Sequence, residues 1–526
     1  MRPSLSVTPA LNERPAAARS EAGGPAGGSR AYAVYALGLL TLINFFNYAD
    51  RNVVFAVFEP LKRDLQLSDQ QLGWIGSAYI IVLSLAALPL GVLGDLRTRR
   101  GVIAWGVGLW SLFTSLGGAV RGFWQLFVCR AMVGVGEAGY GPVSQALIAE
   151  YFREKRRALA IGVYSVGMAL GGVAGVWLGG LLAEAYGWRF AFLWLGVPGF
   201  VLAVLASQLR EPQRRPPTPI LTTVRRFTTT GLRTALHYAA PLLWLAALGA
   251  VVGGTLSFTR VVTADMGAAL FGAFIGLGVV WTVVRLVPAA LRRTSAAGAV
   301  AATAFEEFIE AATTVLRVPT LIWVFVGGAL VTFAVNGLIA WAASFMQRVH
   351  GFSVSDVGRE FGIWGLTGGA LGALVGGRFA DRLFERWPGG RIAVSGAGFL
   401  LGAPVAVWLI LSDNLKLFVP LVFGTYFFYT WYNGPLSAVI FDVVPAAVRS
   451  SVMGAFLLFS HLAGDAVAPP LIGYLSDRLQ MVWHLSPDQA LRRAMLLLPA
   501  VGLVGGLVIL LGLRTVRTDM ARVGSL

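Results

Sequence analysis

The stretch that decides the fold is GVLGDLRTRR, from Gly91 to Arg100, together with a shorter counterpart, GRFADR, from Gly377 to Arg382. Each string closes a long apolar run and combines a glycine, an aspartate and at least one arginine. A glycine lets a neighbouring helix approach, a carboxylate can sit near the positive N-terminal end of another helix, and arginines stay on the cytoplasmic side of a membrane. The repetition therefore indicates two duplicated helical halves.

The composition around these strings is that of a polytopic membrane protein. Of 526 residues, 56% are hydrophobic and 13% are charged, and the mean hydropathy is +0.71. These values exclude an ordinary soluble enzyme. The net charge of +16 comes mostly from arginines in short clusters between apolar runs, so it indicates membrane topology and no nucleic-acid partner. The single cysteine, Cys129, excludes an internal disulfide and a thiolate metal site, and we expect no metal and no cofactor.

Apolar runs bounded by charged or turn residues predict membrane-spanning helices. Six lie near residues 32–58, 72–94, 102–120, 123–149, 158–183 and 190–209. Six more lie near residues 321–345, 357–380, 392–411, 417–444, 452–475 and 494–513. Two extra apolar runs, 238–258 and 266–291, lie between the two sets and raise the prediction to about fourteen spans.

The segments between and beyond these runs predict the domain organisation. We expect a disordered cytoplasmic tail over 1–31, a six-helix bundle over 32–209, a linker over 210–318, a second six-helix bundle over 319–514 and a cytoplasmic tail over 515–526. The linker holds the extra hairpin and, over 292–319, an amphipathic helix at the membrane surface. Most lysines and arginines fall on the inner side if the N-terminus is inside, so we expect both termini to be cytoplasmic.

Four ionisable residues at membrane depth are the first candidates for a functional site. Asp50 and Arg51 lie in the first span, and Arg130 and Glu137, seven residues apart, share one face of the fourth. Charges are costly inside a bilayer, so such residues are functional candidates. Burial and a nearby cation act oppositely on a carboxyl group, which allows a carboxylate to exchange its arginine partner on protonation. The alternative is a permanent ion bridge that locks two helices.

Further candidates lie in the second half. His461 and Asp465 are four residues apart on one helical face, so the carboxylate can orient or charge the imidazole, although a packing hydrogen bond remains the alternative. Aromatic residues precede the string Asn433-Gly434-Pro435, where a bend is expected, and can either line a cavity or pack. The candidate cavity-lining residues are Asn47, Tyr48, Tyr426, Tyr429 and Asn433.

Several strings resemble those of known transporters. The pattern Gly-x-Leu-x-Asp-(x)3-Arg-Arg from Gly91 to Arg100 resembles the signature loop of the major facilitator superfamily, and Arg130 with Gly134 and Gly136 resembles its second motif. Within that superfamily the chain resembles the Spinster family. The strings that carry this resemblance are Asn47-Tyr48-Ala49-Asp50-Arg51, Gly134-Val135-Gly136-Glu137-Ala138, Trp188-Arg189 and Ser460-His461-Leu462-Ala463-Gly464-Asp465-Ala466, followed by Pro469 and Gly473.

The resemblance implies an all-α major facilitator fold of two six-helix bundles, to which this chain adds a two-helix hairpin. It assigns Asp50, Arg51 and Glu137 to a substrate and coupling site, to which we add Arg130, His461 and Asp465. It makes the repeated loops conformational switches. The loop residues are Gly91, Asp95, Arg99, Arg100, Gly377, Asp381 and Arg382. It also implies that the fifth and eighth superfamily helices meet across the halves, so we expect a sliding seam at their glycines. These are Gly171, Gly175 and Gly179, and Gly365, Gly369, Gly372 and Gly376.

A Spinster-like protein implies a secondary active transporter that carries an amphipathic lipid such as a lysophospholipid or sphingosine phosphate. Asp50 and Glu137 at membrane depth lead us to expect coupling to protons. We also expect a monomer in a bacterial inner membrane. Rival interpretations are a major facilitator transporter for small organic anions or drug-like amphiphiles and, from another class, a non-transporting receptor or scaffold. An enzyme is not expected, because the sequence contains no Gly-x-Ser-x-Gly, His-Glu-x-x-His or phosphate-binding glycine loop.

Overall fold

A computed structural model describes residues 30–96, 98–152, 154–210, 313–445 and 448–524, together with the single residues 244, 245, 248 and 252. We call residues 30–210 the first half and residues 313–524 the second half. Three predictions fall mainly outside the described residues. They are the N-terminal tail, the extra hairpin over 238–291 and the amphipathic helix over 292–319.

The first half is built from long apolar helices that follow the predicted spans. Its described helices are α1 (Arg30–Ala56), α2 (Phe58–Leu65), α3 (Asp69–Leu96), α4 (Arg99–Gly117), α5 (Phe123–Tyr151), α6 (Glu154–Tyr186) and α7 (Trp188–Ser207). The short α2 lies between the first two spans, because Gln66 adopts a left-handed conformation that ends it before α3 begins.

The second half has the same character but more interruptions. Its described helices are α8 (Pro319–His350), α9 (Val354–Val357), α10 (Ile363–Arg386), α11 (Gly390–Leu411), α12 (Leu415–Tyr429), α13 (Asn433–Asp442), α14 (Arg449–Ser460), α15 (Ala468–Trp483), α16 (Pro487–Met495), α17 (Leu497–Leu511) and α18 (Val516–Gly524). Two π-turns, Gly358–Gly362 and His461–Asp465, precede α10 and follow α14.

All regular structure in the described ranges is helical, which confirms the all-α prediction. Eight helical stretches of those ranges are long and apolar enough to cross a membrane. The figure of about fourteen spans stays a prediction. The run over 417–444 was expected as one span, but it divides between Tyr429 and Asn433, where the bend was expected. The run over 452–475 divides at the His461–Asp465 π-turn.

Apolar side chains form a core within each half and a third core between them. The third core includes Phe58 of α2 and Trp341 of α8, whose ring centroids are 5.5 Å apart. Trp341 also donates its indole N–H to the Pro469 carbonyl at 3.0 Å. This core lies towards the end of the halves at which α1 ends and α3 begins. We call it the outer end, following the predicted topology.

The predicted seam of glycines was wrong for the residues named. A side chain at Gly171, Gly175 or Gly179 would collide with Phe45, Ala49 or Val53 of α1, so this face of α6 packs inside the first half. Gly372 and Gly376 pack on Phe427 and Trp431, inside the second half, while Gly365 and Gly369 also face residues of that half. The helices still meet across the halves, but through other residues: Gly180 contacts Val354, and Trp177 contacts Gly358. Small residues are needed wherever two helices come closest, and that happens within each half as well.

The predicted C-terminal tail contains the helix α18, which packs on the start of α8. The buried Asp519 accepts hydrogen bonds from the Thr320 backbone N–H at 3.0 Å and from the Thr320 hydroxyl at 2.7 Å. A carboxylate at the positive end of a helix is stabilising, so α18 caps the entry to the second half.

Candidate functional site

The four charged residues at membrane depth in the first half form two crossed ion pairs between α1 and α5. Arg51 Nε donates to Glu137 Oε2 at 2.6 Å, and Arg130 Nη1 donates to Asp50 Oδ2 at 3.3 Å. Since Asp50 and Arg51 are neighbours in α1, the two pairs lie side by side. We call these four residues the charge cluster. The sequence identified all four residues as candidates, but only the structure shows which arginine binds which carboxylate.

Glycines of the second superfamily motif explain how α5 carries these residues into the centre of the half. A side chain at Gly134 would collide with the backbone of Tyr79 in α3, and one at Gly136 would meet the Gly106 carbonyl oxygen of α4 at 2.7 Å. The Gly-x-Gly spacing therefore lets α3 and α4 both close on α5 immediately before Glu137.

The charge cluster is buried but not fully satisfied. The Asp50, Arg130 and Glu137 side chains are almost inaccessible, whereas Arg51 keeps 19% of its side chain exposed. Within the described structure, Arg130 Nε and Nη2 and Glu137 Oε1 have no hydrogen-bond partner. Unmade hydrogen bonds of buried charged groups are costly, so these atoms are available to a ligand, a water molecule or an exchanged partner.

Two residues that the sequence did not single out complete the charge cluster. Thr114 of α4 donates its hydroxyl to Asp50 Oδ1 at 2.9 Å. Tyr79 of α3 lies under both guanidinium groups, with its ring centroid 5.8 Å from Arg51 Cζ and 5.5 Å from Arg130 Cζ. Tyr48, a predicted cavity residue, lies 4.5 Å from Arg51 in the same way. Cation–π contacts of this kind hold a guanidinium group without neutralising it.

The candidate pair of the second half is also present. His461 Nδ1 and Asp465 Oδ2 are 2.6 Å apart, and Asp465 Oδ1 accepts from Asn336 Nδ2 of α8 at 2.7 Å. The carboxylate therefore has a partner on each oxygen. At the π-turn, the Ser460 carbonyl oxygen accepts a hydrogen bond from the Thr332 hydroxyl of α8 at 3.2 Å. Single π-helical turns of this kind occur often at functional sites.

Tyr79 connects the two groups of residues. The His461–Asp465 π-turn packs against α3, and Tyr79 lies within electrostatic reach of Asp465 as well as of Arg51 and Glu137. With 35% of its side chain exposed, His461 is the more accessible member of its pair. Arg51 and His461 are therefore the members of the two ion pairs they form that stay partly exposed.

The remaining predicted cavity residues divide between buried and exposed positions. Tyr429 is buried and stacks on Phe399 at 4.8 Å, and Tyr426 is buried against Phe361. Both therefore fit the packing alternative instead of an open cavity, because their rings fill the interior of the second half. Asn47 is buried with its Nδ2 unpartnered among the described residues, and Asn433 is exposed at the start of α13.

The repeated loops lie where the sequence predicted, at the ends of α3 and α10, far along the chain from the charge cluster. In the first loop, Gly91 and Asp95 fall in the last turns of α3, and their side chains lie outside the described part. Arg99 forms an ion pair with Glu150 of α5. Arg100 Nη1 lies 3.5 Å from the Leu209 carbonyl.

In the second loop, Asp381 accepts from Arg391 Nη2 at 3.0 Å, and Arg391 also binds Asp442 at 2.5 Å. Since Arg391 is in the first turn of α11, the carboxylate lies near a helix N-terminus, as expected. Arg382 is exposed. The prediction that a neighbouring helix approaches closely at Gly377 is wrong, because a side chain there would meet open space. The glycine in close contact is Gly376, which packs on Trp431.

No group of three or more histidine, cysteine, aspartate or glutamate side chains in the described ranges is arranged to hold a metal ion. Cys129 is buried and unpaired.

Comparison with known proteins places this architecture in a family. The sequence model of the Major Facilitator Superfamily matches residues 40–267 and 231–469. An MFS-type efflux pump of Mycolicibacterium smegmatis is 30% identical over 499 residues, covering 94% of this chain and 95% of that protein. Protein spinster homolog 1 of Homo sapiens is 26% identical over 498 residues, covering 89% of this chain and 78% of that protein. A crystal structure of a bacterial homolog of the human lysosomal transporter Spinster, inward-facing and unoccupied, is 23% identical with a TM-score of 0.69, covering 94% of this chain and 99% of that one.

The chain belongs to the major facilitator superfamily, and within that superfamily it is similar to the Spinster proteins. It is therefore an integral membrane transporter of small molecules and not an enzyme.

Proposed function

We propose that this protein is a proton-coupled secondary transporter that moves an amphipathic, lipid-like anion by alternating access, in the manner of a lysophospholipid or sphingosine phosphate carrier. The observation that carries the proposal is the charge cluster: two crossed ion pairs at membrane depth in which Arg130 keeps two unpartnered donors and Arg51 stays partly accessible. A purely structural ion bridge would be expected to satisfy all its donors, since each unmade bond of a buried charge is costly.

Proton coupling follows from competition for the arginines. Glu137 binds Arg51 with one oxygen and leaves the other unpartnered in the described structure, so a proton can be accepted there with little rearrangement. Protonation removes the charge that holds Arg51. The arginine is then free to bind an anionic headgroup, and loss of the proton on the other side returns it to Glu137. Asp50, the residue before Arg51, can exchange Arg130 for an anionic headgroup in the same way when it accepts a proton.

The amphipathic substrate is supported by the surroundings of Arg51. Tyr48 and Tyr79 flank its guanidinium group, and the rest of α1 and α3 is dominated by apolar side chains. An anionic headgroup at Arg51 would place an acyl tail along these walls. The resemblance to the Spinster family implies a lipid-like cargo, and a Spinster homolog among the relatives of this chain supports that resemblance.

The M. smegmatis relative favours a second candidate, export of drug-like amphiphiles, because it is an efflux pump that matches almost the whole chain. The two candidates differ in how affinity depends on tail length. We propose a monomer in a bacterial inner membrane with both termini cytoplasmic for either cargo.

Flux of a labelled lysophospholipid into proteoliposomes, with and without an imposed pH gradient, tests the proposal. Wild-type protein is compared with Asp50→Asn and with Asp413→Asn. The control removes a carboxylate whose side chain is 81% exposed and whose partner, Arg492, lies in the same half. The hydrogen bond from Arg492 holds the pKa of Asp413 below its usual 3.8, so the control loses a full charge at every assay pH from 5 to 8.

We expect flux that rises with the gradient in the wild type and in Asp413→Asn, and an Asp50→Asn variant whose flux no longer responds to pH. Gradient-driven flux that survives both in Asp50→Asn and in Glu137→Gln, measured in parallel, would remove the coupling proposal. Absence of lysophospholipid flux together with export of a cationic dye would favour the drug-like cargo.

A further inference from the structure

The two halves are joined at the outer end by a helix cap that crosses between them. Asp477, in α15 of the second half, accepts the backbone N–H of Asp69 at 3.1 Å and that of Gln70 at 2.9 Å. These are the first two residues of α3, in the first half. A carboxylate at this position satisfies donors that the helix itself cannot and lies at the positive end of the helix dipole.

A network of buried charges surrounds this cap. Arg348 of α8 donates to both oxygens of Asp69, at 2.8 and 2.7 Å, and to Glu59 at 2.8 Å. Lys62 and Ser476 also donate to Asp69, at 2.5 and 2.7 Å. Only 7% of the Arg348 side chain is exposed. Arg348 and Ser476 belong to the second half, whereas Glu59 and Asp69 belong to the first half. The hydrogen bonds between the halves can therefore form only when the outer end is closed.

The backbones also meet here, and only glycine permits it. A side chain at Gly473 of α15 would collide with the Asp69 carbonyl, and one at Gly73 of α3 would collide with Pro469. Gly473 and Asp477 are four residues apart, so the close approach and the cap lie on one face of α15.

The sequence around the cap repeats the loop motif a third time. GYLSDRL, from Gly473 to Leu479, matches GRFADRL, from Gly377 to Leu383, in the glycine, the aspartate, the arginine and the final leucine. The first two copies lie at the predicted inner ends of α3 and α10, whereas this copy lies at the outer end of α15.

We infer that Asp477 is a positioning residue of the transport cycle, and that Gly473 and Asp477 form with Asp69 and Arg348 an outer latch. The motif that serves the inner side thus has a counterpart on the outer side. Opening outwards separates Asp477 from the N-terminus of α3 and Arg348 from Asp69. The latch therefore sets the ratio of outward-closed to outward-open molecules without contact with the substrate. It does not depend on which substrate is carried.

Distance measurements between spin labels test the latch directly. Cys129→Ala removes the single cysteine, and labelled cysteines at Gln66 and Met481, exposed positions on the two sides of the outer end, report its opening. The full-length protein is measured in nanodiscs by double electron–electron resonance, without substrate. The variants are Asp477→Ala, Asp477→Asn and Gly473→Ala, with Asp413→Asn as the matched loss of an outer carboxylate whose ion-pair partner lies in the same half.

We expect Asp477→Ala to enlarge the long-distance population about three- to tenfold, the range typical for loss of a helix cap. Asp477→Asn keeps an acceptor oxygen and should shift it less. Gly473→Ala, which pushes the same surfaces apart without changing a charge, should shift it in the same direction. Distributions equal to the wild type in the Asp477 and Gly473 variants would overturn the inference, as would an equal shift in Asp413→Asn. Because no substrate is present, this result is independent of the lipid-flux assay.

Discussion

Replacing Glu137 with glutamine separates substrate binding from proton coupling. The change keeps the size of the side chain and removes the charge that holds Arg51 Nε at 2.6 Å. A hydrogen bond to a charged group contributes about 1.5–3 kcal/mol. An amide oxygen retains part of that bond, so about half of it, roughly 0.8–1.5 kcal/mol, is released to a competing anion.

The magnitude sets the expected affinity. Since about 1.4 kcal/mol is tenfold in a binding constant, Glu137→Gln should bind an anionic lysophospholipid about four- to twelvefold more tightly than the wild type. Glutamine cannot carry a proton, so accumulation against a substrate gradient should stop. Exchange of labelled for unlabelled substrate should continue, because it needs no net proton movement.

The assay compares three readouts on the same proteoliposomes: binding by calorimetry, gradient-driven accumulation and counterflow exchange. Asp413→Asn, measured in parallel, should resemble the wild type in all three. The competition between Glu137 and substrate for Arg51 would be refuted by a Glu137→Gln protein that binds with unchanged affinity and still accumulates substrate when a pH gradient is imposed.

Three further changes probe the supports of the site and its cargo. Thr114→Val removes the hydroxyl that donates to Asp50 at 2.9 Å, so the pH profile of flux should move, whereas Thr114→Ser should restore it. Gly134→Ala forces a methyl group against the backbone of Tyr79 and should lower stability by about 1–3 kcal/mol, seen as a lower melting temperature, while Gly141→Ala on the same helix, where a methyl group meets open space, should not. In a series of substrate tail lengths, each buried methylene should add about 0.8 kcal/mol, close to fourfold in affinity, and a flat series would point to a small organic anion instead.

Hydropathy alone located most of the helices, because a span must be apolar over its whole length whatever it packs against. It missed the interruptions. The bend near Thr430 was indicated by Asn433-Gly434-Pro435 and not by hydropathy, and the π-turn at His461–Asp465 was indicated by neither. A change in the hydrogen-bond pattern of a helix leaves no trace in mean hydropathy, so such features depend on the partner helix, here α8 with Thr332 and Asn336.

The charge cluster could be predicted as a set but not as pairs. Charged residues at membrane depth are rare enough to stand out, which identified Asp50 and Glu137. Thr114 could not be recognised in the same way, because a threonine in an apolar span is ordinary and its role depends on its hydroxyl reaching Asp50 of α1. The glycine seam failed for a related reason: spacing shows that a helix face is small, but not which neighbour needs it to be small.

The structure also suggests how the candidate site and the outer latch communicate. Tyr79, beneath Arg51 and Arg130, and Asp69, in the latch, lie on the same helix, ten residues or about 15 Å apart. Asp465 and Asp477 are likewise joined by one continuous segment of the second half, the π-turn and α15. Each half therefore has a site residue and a latch residue in one segment of chain: Tyr79 and Asp69 in α3, and Asp465 and Asp477 in the π-turn and α15. A rearrangement around Arg51 that tilts α3 moves the helix N-terminus that Asp477 caps. No additional relay is needed, because α3 carries both Tyr79, which contacts the two arginines, and the N-terminus that Asp477 caps.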